Sequence, residues 1–148
     1  MFSSTVIDIP RPFIDPVESL AQALAVASLV TPRPRTDGTH ALLLDRDRRG
    51  LGIIDAPPLT RDSVHSLVGA CCDLSGVALV VVVSRRTAPA VQPGDDALHD
   101  RLGLALAAAG FSLLDWVVCG RGGVYCPRVV VGAPDPWSSV LPPRWERR

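Results

Sequence analysis

Asp95 and His99 are the side chains whose types and spacing most directly suggest chemistry, since they lie four residues apart in a segment with helical periodicity. Side chains at that spacing share one face of a helix, so the two could hold a metal ion or pass a proton between carboxylate and imidazole. The alternative is a solvated pair on a polar helix face, which is the commoner structure. Asp95 and His99 are therefore the catalytic candidates.

Two adjacent arginines, Arg85 and Arg86, end an apolar run and precede the acidic residues Asp95 and Asp96. Guanidinium groups bind phosphates and carboxylates through paired N–H donors, so Arg85 and Arg86 are candidates for binding a small anion or a nucleotide. In the alternative, the two arginines pair with Asp95 and Asp96, and the charges neutralise one another.

The four cysteines fit no metal-binding spacing. Cys71 and Cys72 are adjacent in a predicted helix, so they point in different directions. Cys119 and Cys126 are symmetric about Gly122-Gly123, and a two-residue turn there would place them opposite each other across a hairpin. A disulfide is then possible in principle, but in the reducing compartment expected for this chain we favour thiols.

Composition indicates a single globular domain. The chain has 148 residues, 47% of them apolar and 20% charged, and its formal net charge is zero. Zero net charge makes nucleic acid an unlikely partner, and no apolar run is long enough to cross a membrane. The first residues do not have the pattern of a secretory signal, so we expect a cytoplasmic protein. No cofactor is predicted.

The elements that would position these residues follow one another as helix, hairpin, helix, strand, helix, hairpin. After an extended lead-in, residues 1–14, the main domain covers residues 15–132, and a Pro/Trp-rich tail covers residues 133–148. Within the domain we predict helices, strands and hairpins over residues 15–30, 40–55, 60–72, 77–84, 95–109 and 111–132, with Asp15 as the cap of the first helix. The second and third helices should each bury an apolar face, formed by Val64, Leu67, Val68 and Cys71 and by Leu98, Leu102, Ala105, Leu106 and Ala109. This order predicts an α/β fold with a single mixed β-sheet and helices packed on its faces.

Three strings within residues 40–126 resemble the RadC-like branch of the JAB/MPN family. Ala41-Leu-Leu-Leu-Asp-Arg-Asp-Arg-Arg-Gly50 is similar to the first hairpin of that family, and Gly76-Val-Ala-Leu-Val-Val-Val-Val83 to its central strand. Leu113-Leu-Asp-Trp-Val-Val-Cys-Gly-Arg-Gly-Gly-Val-Tyr125 is similar to its closing hairpin. The resemblance implies the JAB/MPN architecture, which is cytidine-deaminase-like.

The same resemblance implies that a zinc site has degenerated. Active members of the family hold zinc with an H-x-H pair at the end of the central strand and the Asp of a following S-x-x-D, and a glutamate handles the proton of the bound water. Ser84 and Arg86 stand where the histidines should be, Gln92 replaces the serine, and Asp95 alone remains. The chain has no glutamate between Glu18 and Glu146. We therefore predict no metal and no zinc-dependent hydrolysis.

Three functions remain open from the sequence. In the first, the chain is a catalytically inactive RadC/JAB-like domain that acts as a scaffold, through a protein partner or self-association. Trp116 is then a candidate contact residue, with core packing as its alternative. In the second, a hydrolase uses a rebuilt site drawn from Asp95, His99, Asp55 or a cysteine. In the third, Arg85 and Arg86 bind an anion or a nucleotide.

Overall fold

A computed structural model describes residues 9–30 and 36–137 of the chain, and their fold is α/β, as predicted. The elements in chain order are α1 (Leu20–Ser28), β1 (Gly38–Leu44), β2 (Gly50–Ala56), α2 (Val64–Cys71), β3 (Leu79–Pro89), α3 (Asp95–Ala108), β4 (Ser112–Arg121), β5 (Gly123–Tyr125) and a 3₁₀ turn (Pro127–Val129). The predicted order of helices, strands and hairpins is therefore confirmed. None of the helices in the described part of the chain is long and apolar enough to cross a membrane.

The strands form one open, mixed, five-stranded sheet in the order β2-β1-β3-β4-β5. β1 is antiparallel to both β2 and β3, whereas β3 and β4 are parallel and are connected through α3. β5 closes the sheet as a short antiparallel partner of β4. A parallel pair needs a long crossover and has both faces covered, which explains the near-continuous run of valines in β3.

Each face of the sheet carries its own apolar core. On one face, termed the α2–α3 face, alternate residues of the strands pack against α2 and α3. On the other, the α1 face, the intervening residues pack against α1 and Trp137. Because side chains alternate along a strand, Val82, Ser84 and Arg86 belong to the α2–α3 face, and Val83 and Arg85 belong to the α1 face.

The first helix begins later than predicted. We expected Asp15 to cap it, but its N-cap is Ser19, whose hydroxyl accepts a hydrogen bond from the backbone N–H of Gln22 at 3.1 Å. The Asp15 carboxylate instead accepts hydrogen bonds from Arg11. Pro16 forms a β-bridge with Arg49, which holds this segment in an extended conformation. A tertiary contact therefore overrides a good local capping pattern.

Several other boundaries also differ from the predictions. The second helix starts at Val64 instead of Thr60, because Thr60 and Ser63 first form a turn through two reciprocal hydrogen bonds. β3 continues beyond Ser84 to Pro89, and β5 has only three residues. Ala109, which we expected to be buried, is exposed, whereas Leu102 and Leu106 are buried as predicted.

The closing hairpin has a different register from the one that would oppose its cysteines. Gly120 pairs with Gly123, so the turn comprises Arg121 and Gly122, and Gly122 has a positive φ of 93°. Cys119 consequently lies opposite Val124 and not Cys126. None of the four cysteines, all of which belong to the described residues, forms a disulfide.

The segment after the hairpin contributes to the core at its first tryptophan. Trp137 packs against the α1 face, and its indole N–H donates to the Asp115 carboxylate at 2.7 Å. The guanidinium of Arg48 lies 5.6 Å from the centre of the Trp137 ring. The rest of the predicted tail, and residues 1–8 of the predicted lead-in, lie outside the described residues.

Candidate functional site

Arg86 and Asp95 form a buried ion pair on the α2–α3 face. Arg86 comes from the C-terminal half of β3, and Asp95 is the first residue of α3. Two N–H groups of Arg86 donate to the two carboxylate oxygens of Asp95, at 2.9 and 2.7 Å. Only 12% of the Arg86 side chain and 6% of the Asp95 side chain are exposed. The alternative that the arginines pair with Asp95 and Asp96 is therefore confirmed for Arg86 with Asp95. Asp96 is exposed.

Other donors and acceptors complete the surroundings of this pair. Arg86 also donates to the backbone carbonyl of Ala90 at 2.6 Å. The backbone N–H of Gln92 donates to Asp95 Oδ2 at 3.0 Å, and the phenol of Tyr125 donates to the same oxygen. Gln92, predicted as a degenerate ligand position, thus contributes its backbone. Tyr125 was not among the predicted site residues, because its contact depends on where β5 passes.

Trp116 and Ser84 lie beside the guanidinium of Arg86. The indole N–H of Trp116 donates to the Ser84 hydroxyl at 2.9 Å, and Arg86 Cζ lies 5.8 Å from the centre of the indole ring. Trp116 is completely buried and Ser84 is 3% exposed. Trp116 is therefore a core residue, so the prediction of core packing is confirmed and the alternative of a contact residue is wrong.

Burial and hydrogen bonding keep the charges of this site fixed. Burial alone would raise the pKa of Asp95, but the hydrogen bonds from Arg86, Tyr125 and Gln92 outweigh it and hold the pKa below its usual value. Burial and the neighbouring Asp95 raise the pKa of Tyr125. Burial opposes the charge of Arg86, yet the hydrogen bonds to Asp95 raise the pKa of the guanidinium. Asp95 thus stays ionised and Tyr125 stays protonated near pH 7, so neither is suited to exchange a proton there.

His99 takes no part in this network. Its Nδ1 is buried without a hydrogen-bond partner among residues 9–30 and 36–137, and the nearest carboxylate oxygen, from Asp100, is 3.9 Å away. Within the same residues no hydrogen bond or ion pair joins His99 to Asp95. The predicted Asp–His relay is therefore not assembled in this structure.

Arg85 lies on the opposite side of the sheet from Arg86. Its NH1 group is 2.7 Å from Nδ1 of His40, and its Nε donates to the carbonyl of Thr36 at 3.3 Å. Nε2 of His40 is 3.3 Å from Oδ1 of Asp55. The alternative in which both arginines pair with the acidic residues at the start of α3 holds for Arg86 and is wrong for Arg85. The period-2 alternation of β3 contained the signal that the two side chains diverge.

The candidates for a rebuilt hydrolytic site are distributed over both faces. Asp95 lies on the α2–α3 face and Asp55 contacts His40 on the α1 face. Burial raises the pKa of both Cys71 and Cys126 to about 11, which leaves these thiols poor nucleophiles near neutral pH. The described residues contain no group of three or more His, Cys, Asp or Glu that could hold a metal ion.

A second buried carboxylate, Asp115, lies on the α1 face and was not predicted as a site residue. Its side chain is fully buried and accepts from Arg128 Nε at 3.2 Å as well as from Trp137. These contacts tie β4 to the 3₁₀ turn and to the segment around Trp137.

No protein-family model matches this chain, and no curated protein is significantly similar to its sequence.

Proposed function

We propose that this chain is a RadC-like JAB/MPN domain that has lost its zinc site and acts as a protein-interaction or scaffold module. Two features support the family assignment: the resemblance of the three strings described above, and the helix, hairpin, helix, strand, helix, hairpin order on which it partly rests. The implied ligand positions, Ser84 in the middle of β3, Arg86 in its C-terminal half and Asp95 at the start of α3, are also close in space.

The single observation that carries the loss of zinc chemistry is the paired hydrogen bonding between Arg86 and Asp95. Both oxygens of the one carboxylate that the resemblance assigns to the metal are occupied by a guanidinium. The Ser84 hydroxyl accepts from Trp116, and a cation at a ligand position would repel a second cation. These residues do not fit a zinc ion, and zinc-dependent hydrolysis would lack its metal.

Exposed valines favour a protein partner over a purely structural role. Val124 is 51% exposed, and Val129 and Val130 are 67% and 61% exposed. Val124 lies on β5, the edge strand of the sheet, and Val129 and Val130 follow in the 3₁₀ turn and directly after it. Apolar side chains exposed at a sheet edge are typical of surfaces that contact another chain.

The geometry favours this function over the two alternatives. An anion bound between Arg85 and Arg86 would have to contact both faces of the sheet. A hydrolase built on Asp95 would first have to break the ion pair with Arg86. Arg85 alone remains a candidate for a weak anion contact, on the α1 face.

Reconstitution of zinc binding tests the family assignment. If the scaffold is JAB-like, the double variant Ser84→His and Arg86→His supplies the missing H-x-H pair next to Asp95. It should then bind about one zinc per chain, since three protein ligands suffice for a catalytic-type site. The matched control adds Asp95→Asn and should lose the metal. A folded double variant that binds no zinc would contradict the assignment.

Two further measurements test inactivity and partner binding. Protein purified without chelators should hold no stoichiometric zinc after dialysis, and retention of zinc would overturn the proposed loss of the site. Chemical crosslinking in cell extract should yield adducts with the wild-type chain. The double variant Val124→Asp with Val129→Asp should not form these adducts. Equal thermal stability of the two proteins is the control, and adducts unaffected by the substitutions would argue against this surface.

A further inference from the structure

His40 is a buried histidine with a hydrogen-bonding group at each ring nitrogen. It lies on β1, is 1% exposed, and faces the α1 core. NH1 of Arg85, from β3, is 2.7 Å from its Nδ1 and 3.5 Å from its Nε2. Oδ1 of Asp55, from β2, is 3.3 Å from its Nε2. The three side chains therefore cross adjacent strands as a continuous chain of contacts.

The donors and acceptors in this chain of contacts allow one protonation state of the imidazole. A guanidinium has only donors, so Nδ1 of His40 must accept and cannot carry a proton. A carboxylate only accepts, so Nε2 must carry the proton that faces Asp55. Because the shorter Arg85 contact is at Nδ1 and Asp55 lies nearest Nε2, the neutral Nε2–H form satisfies both neighbours. A second proton could be placed only on Nδ1, where it would meet the N–H of Arg85.

We propose that His40 is a pH-sensitive switch that controls the position of Arg85. Neutral His40 holds the guanidinium against the α1 face, and protonation of Nδ1 removes the acceptor and expels the guanidinium. This inference concerns the α1 face and does not depend on the proposed loss of zinc chemistry.

The other groups that face His40 leave Arg85 as the main opposing charge. α1, which packs on this face, has no titratable side chain. Beyond Arg85, β4 places Cys119 in register with it. Asp37, in the segment before β1, accepts from the backbone N–H of Thr87. Residues 31–35, which include Arg33 and Arg35, lie outside the described residues.

The direction of the shift in the His40 pKa agrees with this geometry. Burial lowers the pKa of His40, the charge of Arg85 lowers it further, and Asp55 partly opposes both effects. The switch therefore operates below the ordinary histidine value of about 6.5.

Release of Arg85 would have two structural consequences. Arg85 Nε donates to the carbonyl of Thr36, so expulsion of the guanidinium would break this contact and leave the hydrogen bond from Thr87 N–H to Asp37 as the link between β3 and the segment before β1. The guanidinium also lies over Gly38, where an added Cβ would be 2.5 Å from NH2 of Arg85. The absence of a side chain at residue 38 thus permits the neutral-pH position.

Nitrogen-resolved NMR of the ¹⁵N-labelled full chain from pH 4 to pH 8 tests the proposal. We expect the Nε2–H tautomer of His40 at neutral pH, and an Arg85 Nε–H resonance that shifts with the same midpoint as His40. The opposite tautomer, or an Arg85 Nε–H resonance that does not shift as His40 titrates, would overturn the proposal.

Two variants separate the switch from a general effect of burial. Arg85→Gln should raise the His40 midpoint toward the ordinary value of about 6.5, because the repelling charge is gone. The Asp55 side chain is 79% exposed, so Asp55→Asn should fold normally. It should lower the His40 midpoint, because the carboxylate that raises the His40 pKa is gone. If Arg85→Gln does not fold, the midpoint shift in Asp55→Asn and the wild-type tautomer of His40 still test the proposal. An unchanged or raised His40 midpoint in Asp55→Asn would contradict it.

Discussion

Removal of both partners of the Arg86–Asp95 pair should cost clearly less than the sum of the two single removals. Arg86→Met leaves the carboxylate of Asp95 buried with only the hydrogen bonds from Gln92 and Tyr125. Asp95→Asn leaves the guanidinium buried without a counter-charge, with only the carbonyl of Ala90 and the new amide oxygen as neutral acceptors. Because the two side chains are only 12% and 6% exposed, each single variant should lose about 3–5 kcal/mol of unfolding free energy.

The double variant, Arg86→Met with Asp95→Asn, contains no uncompensated buried charge. Its loss should be smaller than the sum of the single losses by about 2–3 kcal/mol, which is the coupling expected for side chains in one network. Urea denaturation followed by tryptophan fluorescence gives these free energies. Trp116, fully buried beside Arg86, acts as an internal reporter.

A matched control is Arg49→Met, which breaks an exposed pair with Asp47 at 3.8 Å. Exposed pairs contribute little, so this variant should stay within about 0.5 kcal/mol of wild type. Additive single effects at Arg86 and Asp95, or a loss no larger than in the control, would refute the argument that this pair is a buried and mutually dependent unit.

Three further predictions concern other parts of the domain. Gly120→Ala should destabilise the protein strongly, because the added Cβ would collide with backbone atoms of Ala90. Gly103→Ala, which has open space around it, should instead stabilise α3 by about 0.5–1 kcal/mol. Urea denaturation measures both variants, and equal effects would contradict the close approach of Gly120 to Ala90. The folded-state pKa of His40 is lowered, so its contribution to stability is fully present above about pH 6.5 and is lost as the pH falls through the folded pKa. The difference in unfolding free energy between wild type and His40→Gln should therefore shrink on acidification, and a difference that grows would reverse the assigned sign. Millimolar phosphate or nucleotide should leave the melting temperature unchanged, and a rise that Arg85→Glu abolishes would favour the anion-binding alternative.

The sequence predicted the elements that depend on local pattern and failed where distant residues decide. The valine run of β3 and the apolar stripe Val64, Leu67, Val68 and Cys71 of α2 are buried as predicted, because periodicity reflects which face meets the core. The start of α1 was misplaced because the bridge between Pro16 and Arg49 joins residues far apart in the chain. No window of local sequence contains that contact.

The candidate site shows the same division. Ser84, Arg86, Gln92 and Asp95 were singled out from the sequence, and the structure brings them close together around one ion pair. Tyr125 and His40 were not, since their roles depend on the register of β5 and on the central place of β1 in the sheet. Strand order and register are tertiary properties, so they could not be predicted from residue types alone.

The sheet also acts as a partition between neighbours in the chain. Arg85 and Arg86 are joined by one peptide bond, yet their side chains interact with separate sets of residues in separate layers. Their energetic effects should therefore combine as independent quantities, whereas substitutions at Arg86 and Tyr125, which are remote in sequence, should depend on one another. A charge change at both arginines would perturb two unrelated environments at once, so its outcome could not be attributed to either layer.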